Sequence, residues 1–349
     1  MFRKIVKAAA VLLFLAGACI LIYPWAGRIY GIWKSEHLIR EFQNMREAKD
    51  SGQQEESADD KGEDGRFPDL EEGEFTELRR DMEAYNRQIY ERGQAGLQDA
   101  WDFEQEIFPL DEYDLETEVI GYIESEALDV CLPLYIGTSY EHLAEGAAVL
   151  SQTSMPTGGE NTNCVIAGHR GWRGIPMFQN IEALQEGDII WITNLWERLA
   201  YRVVRTTVIT PDDIGAVRIV DGQDMLTLIT CHPYTKNYQR YVVYCVRTHD
   251  AVYHGTDREE TTAEDQELNR FLAGRQKEQP EFVSSEEQIE REKIISRAGL
   301  AGAVILIGIL AAAAVMSSRE KRKKGKRDKP ERGKLNFFLH HNPGLFFGR

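Results

Sequence analysis

The sequence predicts a mainly β protein: an eight-stranded β-barrel, with a helix and a loop before it, flanked by two transmembrane helices. Three observations predict it. Apolar runs at 5–23 and 298–316 are each long enough to cross a hydrocarbon core of about 30 Å as a helix. From 119 to 247 the chain changes to short β-branched and aromatic runs divided by turn residues. Few helical periods intervene, which favours a closed barrel that hides its strand edges over a doubly wound sheet.

Taken in order, residues 1–23 form a cytoplasmic tip and the first membrane helix, read as an uncleaved anchor. A signal-peptide core is usually shorter, at roughly 7 to 15 residues, and no clear small-residue cleavage site precedes Tyr23-Pro24-Trp25. Residues 24–75 read as an acidic extracellular spacer; within them 47–74 is rich in Asp, Glu, Gly, Ser and Gln, a composition expected to stay disordered. Residues 76–118 hold a helix and a loop. Leu78, Met82, Tyr85 and Ile89 fall at four- and three-residue steps and mark one apolar stripe, Gly93 and Gly96 end it, and the aromatics Trp101, Phe103, Phe108 and Tyr113 suit a loop packed against something.

The barrel is expected over 119–250, with strands at 119–123, 130–136, 147–150, 163–168, 188–193, 199–210, 225–230 and 241–248 and one short helix at 176–184. Residues 251–297 are again polar and read as a helical stalk, with a helix start at Ser284-Ser285-Glu286-Glu287. The second membrane helix, 298–316, is followed by a basic tail over 317–349. Arg3, Lys4 and Lys7 precede the first span, and Arg319, Lys321, Arg322, Lys323, Lys324, Lys326 and Arg327 follow the second. The positive-inside bias therefore puts both termini in the cytoplasm and everything between the spans outside the cell membrane.

The whole chain has a formal net charge of −16 although both its ends are basic, so the part between the spans is strongly acidic, which argues against a nucleic-acid partner. The basic tail, set beside a span, fits contact with anionic membrane lipids. Five cysteines do not make a disulfide scaffold: Cys19 lies in the first span, and Cys131, Cys164 and Cys245 read as free thiols rather than a bridge. No metal is expected, because the carboxylates crowd into spacer and stalk and His169 has no ligand partner at sequence spacing; no cofactor is expected either.

One cysteine has company. Cys231 directly follows the apolar run Thr227-Leu228-Ile229-Thr230, Gly168-His169-Arg170-Gly171 ends another strand, and Asn237-Tyr238-Gln239-Arg240 opens the strand after Cys231. A nucleophile, an imidazole and a permanent cation at three strand ends are the parts of an acyl-transfer site. With reference pKa values near 8.5 and 6.5, an uncoupled pair at pH 7 holds thiolate and imidazolium together in below about one per cent of molecules. Cys231 would attack a carbonyl, His169 would pass a proton to the leaving amine, and Arg240 would hold the oxyanion with a planar fork that lysine lacks.

Thr227 to Cys231 resembles the Thr-Leu-x-Thr-Cys signature of the sortases, with Pro233-Tyr234, Asn237 and Arg240 following as in that family. The likeness runs over 121–247 and takes in Gly121-Tyr122-Ile123, Leu132-Pro133-Leu134-Tyr135, Thr153-Ser154-Met155-Pro156-Thr157-Gly158-Gly159, Ala167-Gly168-His169-Arg170-Gly171 and Met177-Phe178. It implies a cysteine transpeptidase of Gram-positive cell walls, with Cys231, His169 and Arg240 catalytic and Thr230 and Asn237 near the substrate. His232 departs from the small residue usual there; it either tunes Cys231 or fills a rim position. Val149 stands where related sequences often carry His.

Two spans, a long extension and an aromatic acidic loop are similar to the class C, pilin-polymerising sortases, in which a lid with an Asp-Pro-aromatic element covers the site. Asp99-Ala100-Trp101 is the nearest match, with Ala100 in place of the usual Pro and Asp102-Phe103 as a rival anchor. Tyr85-Asn86 also resembles that class. The resemblance implies cleavage of a Leu-Pro-x-Thr-Gly-like sorting signal on surface proteins or pilins, through a thioester, and transfer to an amine acceptor, a pilin lysine. Housekeeping anchoring to peptidoglycan through lipid II is the alternative within the family. A papain-like hydrolase would carry its cysteine on a helix, and a non-catalytic membrane scaffold would not need Cys231.

Overall fold

Eight strands close on themselves in the order β1-β2-β3-β4-β7-β8-β6-β5. They are β1 (Gly121–Ser125), β2 (Val130–Ile136), β3 (Ala147–Val149), β4 (Thr162–Ala167), β5 (Ile189–Asn194), β6 (Arg198–Ile209), β7 (Asp224–His232) and β8 (Gln239–Thr248). The computed structural model describes residues 2–51, 75–99, 108–173, 175–248, 262–277 and 280–327. Each expected strand is there, because each was a β-branched or aromatic run bounded by turn residues. The pairings β2–β3 and β4–β7 are parallel and the others antiparallel.

Parallel neighbours need a crossover, and between β2 and β3 it includes helix α3 (Tyr140–Glu145), which no sequence pattern announced. Six residues are too few for a periodic stripe. The helix is instead set by its cap, Ser139 Oγ accepting from His142 N at 3.0 Å. The expected helix at 176–184 is a series of turns with a single 3-10 turn, Ile181–Ala183. Strands β4, β7 and β8 are covered on both faces, so that Val165, Ile166, Leu228, Val242 and Val243 are fully buried. Each such side chain stabilises the fold by about 1.5–3 kcal/mol relative to exposure.

Helix α2 (Thr76–Glu91) lays the predicted stripe against the barrel, with Leu78, Met82 and Ile89 buried. Asn86 shares that face, its Oδ1 accepting from Met155 N at 2.7 Å and its Nδ2 donating to Thr157 Oγ1 at 3.0 Å. Helix α1 runs over Phe2–Ser51, so residues 24–51, which composition assigned to a spacer, are helical. Its second half rests on the barrel: Ser35 Oγ donates to Cys131 O at 3.2 Å, and Phe42 meets Tyr122 edge-on at 6.0 Å. Most of the rest of the expected spacer, 52–74, lies outside the described residues.

Helix α4 (Ala263–Arg275) falls within the expected stalk yet packs on β6. Arg202 Nη2 donates to Asp265 Oδ2 at 2.8 Å, Arg205 Nη1 to Asn269 Oδ1 at 2.7 Å, and Gln276 Nε2 to Thr207 Oγ1 at 2.9 Å. Helix α5 (Glu286–Arg327) contains one stretch, Glu286–Met316, long and apolar enough to cross a membrane. The N-terminal run meets that measure only as a pair, Val11–Tyr23 and Trp25–Glu47, bent by 42°. The two helices touch where Trp25 Nε1 donates to Ser296 O at 3.1 Å. Cys19, Cys131, Cys164, Cys231 and Cys245 are all free thiols.

Candidate active site

The three strand ends singled out in the sequence come together. Cys231, near the end of β7, stands opposite Arg240, near the start of β8, in antiparallel register, so both side chains leave the sheet on the same face. Strand β4 runs parallel on the other side of β7 with Ala167 opposite Ile229. Gly168 N donates to Ile229 O at 3.2 Å, so the alignment persists one residue past β4, and His169 is the next residue along, towards the Cys231 end of β7. Thr230 Oγ1 locks this alignment by donating to Gly168 O at 2.7 Å. Gly168 must be small: a Cβ there would lie 2.7 Å from the Phe178 ring. His169 is further held by stacking on Trp172, with centroids 4.5 Å apart.

Arg240 is engaged by a carboxylate. Its Nε donates to Asp99 Oδ1 at 2.9 Å and its Nη2 to Asp99 Oδ2 at 2.7 Å, while Nη1 serves the carbonyls of Asn237 (3.1 Å) and Gln239 (3.0 Å). A fork-to-fork pair of this kind is geometrically specific as well as strong. Burial pushes the Cys231 thiol up to about 11; the Arg240 cation works against this and the Asp99 carboxylate adds to it. Burial also holds His169 below the usual imidazole range, and its Nε2 has no hydrogen-bond partner among the described residues. Thiol and neutral imidazole are thus the dominant forms here, with an uncommitted proton site on His169.

Residues 123–248 match the sortase domain model, and within that span lie Cys231, His169 and Arg240. This part of the chain is a sortase domain. It is 31% identical over 126 residues to sortase A of Bacillus anthracis, covering 36% of this chain and 58% of that protein. With sortase D of Bacillus subtilis the figures are 25% identity, 36% and 61%, so the match spans less than two thirds of these curated relatives. Among solved structures, sortase C-1 from Actinomyces oris is 32% identical, with 50% of this chain and 97% of that one covered at a TM-score of 0.45. Sortase C from Clostridium perfringens is 35% identical, with 50% and 89% covered at a TM-score of 0.42.

Within the sortase barrel the other expected residues separate. Thr230 is buried and spends its hydroxyl on Gly168, so its place is in the alignment of the strand ends and not on an open surface. Asn237 is exposed, in the left-handed region at φ 61°, and offers Arg240 its backbone carbonyl. Val149 is core, on β3. Trp101 and the rival anchor Asp102-Phe103 lie outside the described residues. His232 is fully buried, facing away from Cys231 by strand alternation, against Arg170 and Glu182. Glu182 sits in a turn that carries no motif, and Arg170 stands in the sequence only as part of the Gly168-His169-Arg170-Gly171 signature.

Proposed function

We propose that this chain is a membrane-anchored transpeptidase in which Asp99 belongs to a lid and must leave Arg240 before substrate is processed. The observation that carries the proposal is the Asp99 pair on Arg240, the residue that stands in register with Cys231. In the closed form the donors needed by an oxyanion are committed to a carboxylate and the thiol is held protonated. Departure of Asp99 frees two guanidinium donors and removes a negative charge from beside the sulfur, so one movement prepares both groups.

The reaction that follows keeps its atoms and charges balanced. Cys231 thiolate adds to the carbonyl carbon of the scissile Thr-Gly bond of a Leu-Pro-x-Thr-Gly-like signal, and Arg240 holds the resulting oxyanion. Imidazolium His169 gives its proton to the departing glycine amine, which leaves a thioester and neutral His169. An incoming amine then adds to the thioester, His169 takes its proton, and thiolate Cys231 departs. A pilin lysine is the acceptor that a lid-bearing member implies. The apolar stretch of α5, the basic run after it and the bent N-terminal pair support anchoring by two spans, with both termini in the cytoplasm.

The test uses the full-length chain in detergent with a fluorogenic sorting-signal peptide and a lysine-bearing pilin peptide or a lipid II mimic as acceptor. Intact-mass detection of an acyl-enzyme at Cys231, resolved by the lysine peptide, is the expected result. Hydrolysis alone with neither acceptor used, or a Cys231→Ala chain that still cleaves, overturns the transpeptidase. Preference for the lipid II mimic replaces pilus assembly by cell-wall anchoring.

A further inference from the structure

Strand alternation puts a second set of side chains at the same strand ends, on the face turned away from Cys231. Arg170 follows His169, His232 follows Cys231, and Gln239 precedes Arg240 opposite His232. Arg170 and His232 are buried, at 4% and 0% exposure. Arg170 Nη1 donates to His232 Nδ1 at 2.5 Å, and Arg170 Nη2 donates to Glu182 Oε1. The same guanidinium lies over the Tyr241 ring, 5.7 Å from its centroid. His232 is therefore a neutral ring accepting at Nδ1, as its burial and the neighbouring Arg170 charge require.

Glu182 has further partners. Its carboxylate accepts from Ser285 N at 3.0 Å and from Ser284 Oγ at 3.1 Å, at the start of α5. Around this point Phe282 stacks on His232 at 5.4 Å, Gln239 Nε2 donates to Glu281 O at 3.2 Å, and Tyr234 N donates to Ser285 Oγ at 3.0 Å. A carboxylate beside the first N–H groups of a helix is favoured by the helix dipole, so Glu182 serves two cations at once, one full and one partial.

We propose that Arg170 and His232 are a positioning pair that sets His169 against Cys231, and that Glu182 makes their setting depend on the seating of 281–285 at the start of α5. The proposal rests on reading Cys231 and His169 as the reacting pair. Each positioning residue is the chain neighbour of one reacting residue, so the bond between them ties the two strand ends together from behind, as Thr230 and Gly168 do one step earlier along the strands. Shape alone would not fix that spacing. A planar guanidinium shared between a ring nitrogen and a carboxylate does, and a buried guanidinium that loses either partner must reorient to find another, taking the 169–170 peptide with it. The start of α5 thereby acts on the reacting pair from behind.

Two His232 variants separate positioning from packing. Asn offers an acceptor close to the place of Nδ1, whereas Phe keeps the ring against Phe282 and removes the acceptor. In the full-length chain, the rate of Cys231 alkylation by iodoacetamide, located by peptide mass, is followed from about pH 5 to 9, a window that spans the ordinary imidazole and thiol ranges, beside peptide kinetics and the thermal midpoint. His232→Asn should keep the wild-type pH profile. His232→Phe should give the profile of His169→Ala and lower kcat by about tenfold with KM nearly unchanged. Glu182→Gln and Ser285→Pro, which weaken the tie to α5, should move the profile the same way. Identical profiles for wild type, His232→Asn and His232→Phe, or kcat values that only follow thermal midpoints, overturn the positioning pair. A wild type that never forms an acyl-enzyme overturns the transpeptidase reading alone, since the alkylation comparison needs no peptide.

Discussion

Cys231 can react only as thiolate, and every group around it in the closed form bears on how rarely that form occurs. Burial raises its pKa to about 11 and lowers that of His169, so the reactive ion pair is a small minority near neutral pH. On the proposed mechanism Cys231→Ala should abolish acyl-enzyme formation with a sorting-signal peptide, and His169→Ala should come close, because one removes the nucleophile and the other the donor for the leaving amine. Intact mass after peptide addition reads both. Arg240→Lys should be almost as harmful as Arg240→Ala, raising the barrier by about 3 kcal/mol, as a lost oxyanion donor does. Full kcat in Arg240→Lys would show that the fork is irrelevant. The placement of these three residues at neighbouring strand ends was legible because each ends, follows or opens an apolar strand. Glu182 was not: its bonds reach Arg170 and Ser285, and no spacing along the chain announces a meeting of residues so far apart.

The proposed Asp99 latch and helix α2 each allow a test at the level of the element. Asp99→Ala removes a charge that raises the Cys231 pKa and releases the Arg240 cation that lowers it, so thiolate should form at lower pH than in the wild type. Alkylation of Cys231 should accordingly rise at lower pH in the variant; superimposable curves would deny Asp99 the latch. Asn86→Ala should destabilise the fold by about 1–3 kcal/mol through the unpaired Met155 N–H it leaves buried, read as a lower thermal midpoint at unchanged Cys231 reactivity. Strands were legible because β-branched runs end in turn residues. Two helices were not. Helix α3 is too short to show a period, and the second half of α1 was hidden by its polar average although Ser35, Ile39, Phe42 and Met45, its buried side, recur at helical steps.

On the scale of the whole molecule, the start of α5 is fixed to the barrel at Glu182, and the apolar run follows closely along the same helix. From Glu286 to Ala298, where that run begins, the helix rises about 18 Å, at 1.5 Å per residue. With the run in a membrane, as proposed, so short a tether holds the barrel close to the bilayer surface, where membrane-held substrates arrive. Helix α1 adds a second tether, since beyond its apolar run Lys34 pairs with Glu145 and Ser35 with Cys131 O, and Trp25 joins it to α5 at Ser296. Basic residues lie beyond the outer end of each apolar run, and the proposed topology accordingly has both termini in the cytoplasm. Protease added to intact protoplasts should therefore remove the barrel while sparing a tag placed after Arg349, and the surviving fragment should retain the stretch up to Met316. Loss of that tag without permeabilisation would refute the two-span arrangement. The same digestion tests the seat of α5: a helix start that must open before it can be cut is shielded for as long as Glu182 holds Ser284 and Ser285. Glu182→Gln should therefore speed cleavage within 281–297 relative to wild type, and equal cleavage rates in the two chains would show that Glu182 does not hold the helix start on the barrel.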